Sequence, residues 1–218
     1  AMRDLDIRGA GNLLGGEQSG FISDIGYETY HKILEEAIDE LKENEFKESF
    51  AAPPQILKQY VRDVSIDTDV EMHLPDEYIS NTQERLILYQ QLDKIKDEAG
   101  IEKFVTSLKD RFGPVPNAVN ELFQGLRLRW IAKEMNFERV VLKKNKLQCF
   151  FISNPSSAFF ESTYFQKLVE TISKEGIQLK FTLKQSNQLL ILIREEVKHL
   201  NTAIQILQHL HQFIQDKI

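Results

Sequence analysis

The 218-residue chain has little of several features that would point to a definite class of protein. Its single cysteine, Cys149, excludes an intramolecular disulfide. No apolar run approaches the roughly 18 residues of a membrane-spanning helix, and the first residues match neither a secretory signal nor a transit pattern. These absences favour a cytoplasmic protein.

Motifs that carry chemistry are also missing. The chain has no GxxxxGK[S/T] phosphate loop and no strand-borne acidic residue that can be tied to a Mg²⁺ site. His209 and His211 are two positions apart, so they face different sides of a helix instead of forming an i, i+4 zinc pair. Cys149 alternates with Leu147 and Phe151, a pattern typical of a small buried strand residue. We therefore predict no catalytic residue, no cofactor site and no metal site in this chain.

The composition is that of a folded protein with an acidic balance. Hydrophobic residues make up 42% and charged residues 28% of the chain, and the formal net charge is -6. Binding to DNA phosphates depends on many Lys and Arg side chains, so an overall acidic chain is not expected to hold DNA over a broad surface. Any DNA contact should therefore be local.

Residue periodicity divides the chain into three parts. Apolar residues recur at helical spacing from Tyr27 to Lys42, which predicts an amphipathic helix. Pro53 and Pro54 then oppose regular structure. Alternating apolar residues from Val64 to Leu74 predict a strand that ends at Pro75. We predict an N-terminal segment at residues 1–50, a linker at 51–63 and an α+β domain at 64–218.

Within this last domain the pattern predicts three helices and then two copies of a strand, strand, helix unit. The helices are expected at Thr82–Asp97, Gly100–Phe112 and Pro116–Asn136, with Gly113 ending the second. The four strands are expected at Val140–Leu142, Lys146–Ile152, Ile177–Leu183 and Gln188–Ile193, with helices at Ser157–Glu175 and Lys198–Lys217. The expected fold is a compact domain of helices covering a small sheet.

The segment from Asp4 to Gly20 differs from the rest because it is rich in glycine and lacks a core-forming period. Gly9 and Gly11 allow backbone conformations that other residues rarely adopt. Arg8 can grip a phosphate or carboxylate with two parallel hydrogen bonds, and the Gln18 amide both donates and accepts. These residue types favour a loop with a functional role over a purely structural turn.

Its sequence, DLDIRGAGNLLGGEQSG, resembles the translocation motif of RecG-type DNA motors in the form found in bacterial transcription-repair coupling factors. The resemblance continues through IGYETYHKILEEAIDELK and DRFGPVP, in the order of that family's C-terminal region. Because the chain opens inside the motif, we expect it to be part of a longer polypeptide.

The resemblance implies roles for particular residues. Lobes upstream of the chain would bind ATP and Mg²⁺ and close on them. The translocation motif would couple this closure to stepping along duplex DNA through Arg8, Gly9, Gly11 and Gln18. The parent protein would displace stalled RNA polymerase and recruit UvrA. The C-terminal domain would be autoinhibitory, docking on a UvrB-like domain of the same polypeptide and hiding the surface that recruits UvrA.

In this family the docking patch corresponds to Asp110 and Arg111, although some members carry an acidic residue where this chain has Ser107. Adjacent residues diverge by about 100° on a helix, so one intrahelical pair cannot account for both charges. The structural alternative is that these charges are paired elsewhere or solvated. Two other functions stay open: a stand-alone nucleic-acid-binding module and a small hydrolase using scattered carboxylates.

Overall fold

The computed structural model describes residues 60–186 and 189–218, which form two compact units. One unit is described over Met72–Val119, and the other over residues 60–71 and from Asn120 onward. The predicted segments 1–50 and 51–63 lie wholly or mainly outside the described residues and stay predictions. Residues 60–63, predicted to be linker, belong to the second unit; the rest of both described units lies within the predicted domain at 64–218.

The first unit is helical. Its helices are α1 at Thr82–Asp93, α2 at Glu98–Phe112 and the first turn of α3, which runs over Asn117–Glu134. The Asn81 side chain accepts a hydrogen bond from the Glu84 amide, and Asp97 accepts one from the Gly100 amide at 2.7 Å. Both contacts satisfy amides that a helix start leaves without an intrahelical partner.

Two polar side chains are buried in this unit with their partners. The Arg85 guanidinium donates to the Ile79 carbonyl at 2.7 Å and pairs with the Asp76 carboxylate at 2.7 Å. The Tyr89 hydroxyl accepts from the Leu74 amide at 2.9 Å. These bonds matter because a buried polar group without a partner costs about 1–3 kcal/mol.

The second unit is built on a five-stranded sheet with the order β1-β2-β3-β5-β4. β1 pairs with β2 in parallel, and the other neighbours are antiparallel. The strands are β1 Ser65–Thr68, β2 Phe137–Lys143, β3 Lys146–Phe151, β4 Phe181–Ser186 and β5 Leu189–Glu195; the helices are the rest of α3, a 3₁₀ turn Ala158–Glu161, α4 Thr163–Leu179 and α5 Leu200–Gln215. The predicted α+β class and the two strand, strand, helix copies are confirmed.

A cluster of aromatic rings lies in the second unit's core. Phe137, Phe151 and Phe159 are fully buried. The ring centroids of Phe137 and Phe151 lie 4.8 Å apart, and those of Phe159 and Phe165 lie 5.3 Å apart. The strands and the segment before α4 therefore share one apolar core.

Two predicted strands were wrong in extent. The strand predicted over Val64 to Leu74 is only four residues long, because Val70 donates to the Thr68 hydroxyl in a turn that ends the pairing. The strand predicted from Ile177 instead begins at Phe181. α4 extends through Leu179, and Ile177, which suggested the alternation, is 96% exposed. The other elements predicted after residue 64 lie where predicted, with ends shifted by up to six residues. The helix predicted from Tyr27 to Lys42 lies outside the described residues and stays a prediction.

Candidate interdomain docking surface

The structure describes two of the six predicted site residues. The other four lie outside the described residues and stay predictions: Arg8, Gly9, Gly11 and Gln18. Asp110 and Arg111 lie in the last turn of α2, and both are exposed.

Arg111 is held by two neighbours in the first unit. Its guanidinium donates to the carboxylate of Glu84 on α1 and lies over the Phe112 ring, 4.8 Å from the centroid. The Phe112 ring packs edge-on against Tyr78, with centroids 5.8 Å apart. The charge of Arg111 is therefore already compensated inside the unit.

The Tyr78 side chain forms hydrogen bonds with the backbone at the end of α2. Its hydroxyl lies 3.0 Å from the Gly113 carbonyl and 3.3 Å from the Leu108 carbonyl, both of which can accept its proton. The Gly113 carbonyl lies just past the helix and has no intrahelical donor, so this hydroxyl supplies one where α2 ends. Burial raises the pKa of Tyr78, which keeps the hydroxyl protonated.

Asp110 differs from its neighbour. Its carboxylate forms no hydrogen bond or ion pair with any residue that the structure describes, and it is exposed. A negative charge in the last turn of a helix is opposed by the helix dipole, at a cost of about 0.3–1 kcal/mol. Asp110 therefore contributes nothing evident to the stability of the unit.

Sequence reasoning missed Glu84 as part of this site. Its partner lies 27 positions later, and no local pattern links the two residues. We call the patch formed by Glu84, Asp110, Arg111 and Phe112 the helix-end surface. Ile87 lies one turn beyond Glu84 on the same face of α1 and is 53% exposed. An apolar residue outside the buried face of α1 was the only sequence feature that pointed to this face of the helix as a contact surface.

The remaining candidates for chemistry are structural. Cys149 is fully buried and burial raises the pKa of its thiol, so it is poorly suited to act as a nucleophile. Over residues 60–186 and 189–218, no group of three or more His, Cys, Asp and Glu residues is placed to hold a metal ion. In the same residues, no helix is both long and apolar enough to span a membrane.

The described residues thus have an α+β fold, and their candidate site is an exposed, partly charged surface. The model of the TRCF domain family matches residues 68–162, a range that includes the helix-end surface.

Relatives extend the match over most of the chain. A transcription-repair-coupling factor of Staphylococcus epidermidis is 35% identical over 148 residues, which is 68% of this chain and 12% of that protein. One of Staphylococcus aureus is 30% identical over 212 residues, which is 94% of this chain and 17% of that protein. The chain therefore spans less than a fifth of the length of these relatives.

The fold agrees with this match. The crystal structure of a C-terminal domain of transcription-repair coupling factor is similar with a TM-score of 0.53 and 22% identity, covering 71% of this chain and 95% of that one. The chain belongs to the transcription-repair-coupling factor family, and its described part has the fold of that family's C-terminal domain.

Proposed function

We propose that this chain is the C-terminal part of an ATP-dependent DNA translocase that couples transcription to nucleotide excision repair. In this proposal its α+β region docks on the UvrB-like domain of the same polypeptide and hides the surface that recruits UvrA. Family membership supports the general role, and the unpaired charge of Asp110 supports the docking site.

The N-terminal segment would serve the motor. Lobes upstream of the chain would bind ATP and Mg²⁺, and their closure would move the motif that contains Arg8, Gly9, Gly11 and Gln18. An arginine, an amide and flexible glycines are suited to coupling that motion to sequence-neutral contacts with duplex DNA. Stepping along DNA in the cytoplasm would then displace stalled RNA polymerase.

The observation that carries the docking proposal is the position of Asp110. A carboxylate that faces solvent at the unfavourable end of a helix dipole is free to meet a positively charged partner on docking. A modest interface with charged contacts can also open when the motor engages polymerase, whereas a large apolar seam opens less readily. Docking through the helix-end surface therefore fits a reversible, autoinhibited state.

The test is Asp110→Arg in the full-length protein. We expect UvrA affinity to rise by roughly tenfold, which corresponds to about 1.4 kcal/mol, because the docked state is weakened. Glu102→Arg is the matched control: it makes the same charge change on the same helix, at an exposed site roughly 12 Å away along the axis. Calorimetric titration of UvrA gives the affinities, and thermal melts check the fold.

Equal UvrA affinity for the wild type and Asp110→Arg, with equal melts, would remove Asp110 from the docking site. A rise that Glu102→Arg shares would point to general charge instead of a specific contact. Salt-dependent binding of duplex DNA by residues 60–218 would favour the alternative of a nucleic-acid-binding module.

A further inference from the structure

The ion pair at the helix-end surface gives two adjacent charges different positions. The Arg111 guanidinium bonds the Glu84 carboxylate and lies on the Phe112 ring. Adjacent side chains diverge on a helix, so this arrangement directs Arg111 toward α1 and leaves the Asp110 carboxylate by itself. The two charges are therefore not equivalent members of a docking site.

We propose that Glu84 is a positioning residue for docking: it holds and neutralises Arg111, so that of these two adjacent charges only the Asp110 carboxylate is free to meet a positively charged partner. This inference rests on the proposed function, because it concerns the same docking event. In this proposal Arg111 stays bound to Glu84 and does not contact the partner.

The proposal predicts opposite effects on docking for substitutions at Glu84 and at Arg111. Glu84→Gln keeps the shape of the side chain but leaves the Arg111 charge uncompensated beside Asp110, so the surface repels a positive partner. Arg111→Gln leaves the Glu84 charge uncompensated, so the surface attracts the same partner at least as well as before. The local cap of α1 is unaffected by either change, because it uses the backbone amide of Glu84.

The experiment measures UvrA affinity of the full-length protein at low and at high salt. We expect Glu84→Gln to raise the affinity severalfold, and Arg111→Gln to leave it unchanged or lower it. The charge swap Glu84→Arg with Arg111→Glu rebuilds the pair at the same net charge and should return the affinity close to that of the wild type. High salt should shrink these differences, since exposed charges are screened.

Glu175→Gln is the matched control. It breaks the ion pair that joins Glu175 to Lys217 at 2.7 Å, whose carboxylate side chain is 32% exposed, against 33% for that of Glu84. This control should leave UvrA affinity unchanged. Melting temperatures of all variants should stay within about 4 °C of the wild type, as expected for exposed ion pairs.

A purely structural role of the pair predicts that Glu84→Gln and Arg111→Gln both raise UvrA affinity, and that result would overturn the inference. So would an unchanged affinity in Glu84→Gln while Asp110→Arg still raises it, and in that case the proposed docking function stands. If Asp110→Arg also has no effect, Asp110 is removed from the docking site, and docking through this surface fails with it.

Discussion

Two aspartates, one in each unit of the molecule, have different surroundings. On the sheet unit, Asp67 pairs with Lys143 at 2.5 Å and with Arg139 at 3.0 Å across neighbouring strands. These contacts, above all the hydrogen bond from Lys143, lower the pKa of Asp67. On the helical unit, Asp110 has no such partner among the described residues. The candidate site therefore rests on the environment of one carboxylate, which faces solvent in the last turn of α2.

The units also differ in what holds them together. Strand pairing in the sheet unit joins residues far apart in sequence, such as Ser65 with Arg139, and its core includes a cluster of aromatic rings. The helical unit is described over only 48 residues, Met72–Val119, and depends more on helix ends and a few buried polar contacts. We expect core substitutions to be most destabilising in the sheet unit, and helix-end substitutions to be most destabilising in the helical unit.

The largest effect should come from Phe151→Ala in the sheet unit. Phe151 is fully buried, and its ring centroid lies 4.8 Å from Phe137 and 5.7 Å from Phe165. Truncating such a ring costs about 3–5 kcal/mol because it leaves a cavity. Residue-resolved hydrogen exchange should show the loss of protection in β2 and β3. Phe150→Ala, on the less buried face of the same strand, should cost less.

This variant also tests whether the units are energetically separate. Protection of α1 and α2 should be retained in Phe151→Ala. An equal loss in both units would mean that they unfold together, and the comparison between them would fail.

An intermediate effect is expected for Gly113→Ala in the helical unit. Gly113 has φ +87° and ψ -157°, a conformation almost restricted to glycine, and an added Cβ would meet no atom within 4 Å. The cost is therefore backbone strain, of order 1–3 kcal/mol. Exchange protection at the end of α2 should fall. Lys109→Ala, at an exposed position of the same turn, should change stability by about 0.5 kcal/mol or less.

The smallest effect concerns a polar contact of the sheet unit. The Tyr164 hydroxyl lies 2.8 Å from His211 Nδ1, which joins α4 to α5. Burial lowers the pKa of His211, opposed by the negative charge of Glu134, and burial together with that charge raises the pKa of Tyr164. His211 is therefore held in its neutral form, while the tyrosine stays protonated.

The folded state thus binds fewer protons than the unfolded state just below pH 6.5, the ordinary pKa of histidine. The contribution of His211 is present above that pH and decreases as the pH falls toward its folded pKa. Denaturant titrations at pH 7.5 and 5.5 should show a smaller loss of stability in His211→Gln than in the wild type. His209→Gln, on the exposed face of the same helix, should behave as the wild type does.

Local patterns were sufficient for most of the fold. Periodicity and the stop signal at Gly113 located the helices, and the change of period after Asn136 indicated the sheet. Prediction failed where two periods overlapped. Residues 177–183 fit strand alternation, yet Leu168, Ile172 and Gly176 continue a buried helical stripe that keeps α4 intact through Leu179.

The sequence by itself determined the α+β class, the order of the elements and the two charged residues at the end of α2, because these depend on spacing along the chain. The tertiary structure alone decided which of those two charges has a partner. Folding places Glu84 beside Arg111, 27 positions away, and leaves Asp110 in solvent. Ion pairing depends on distance in space, which spacing in the sequence does not specify.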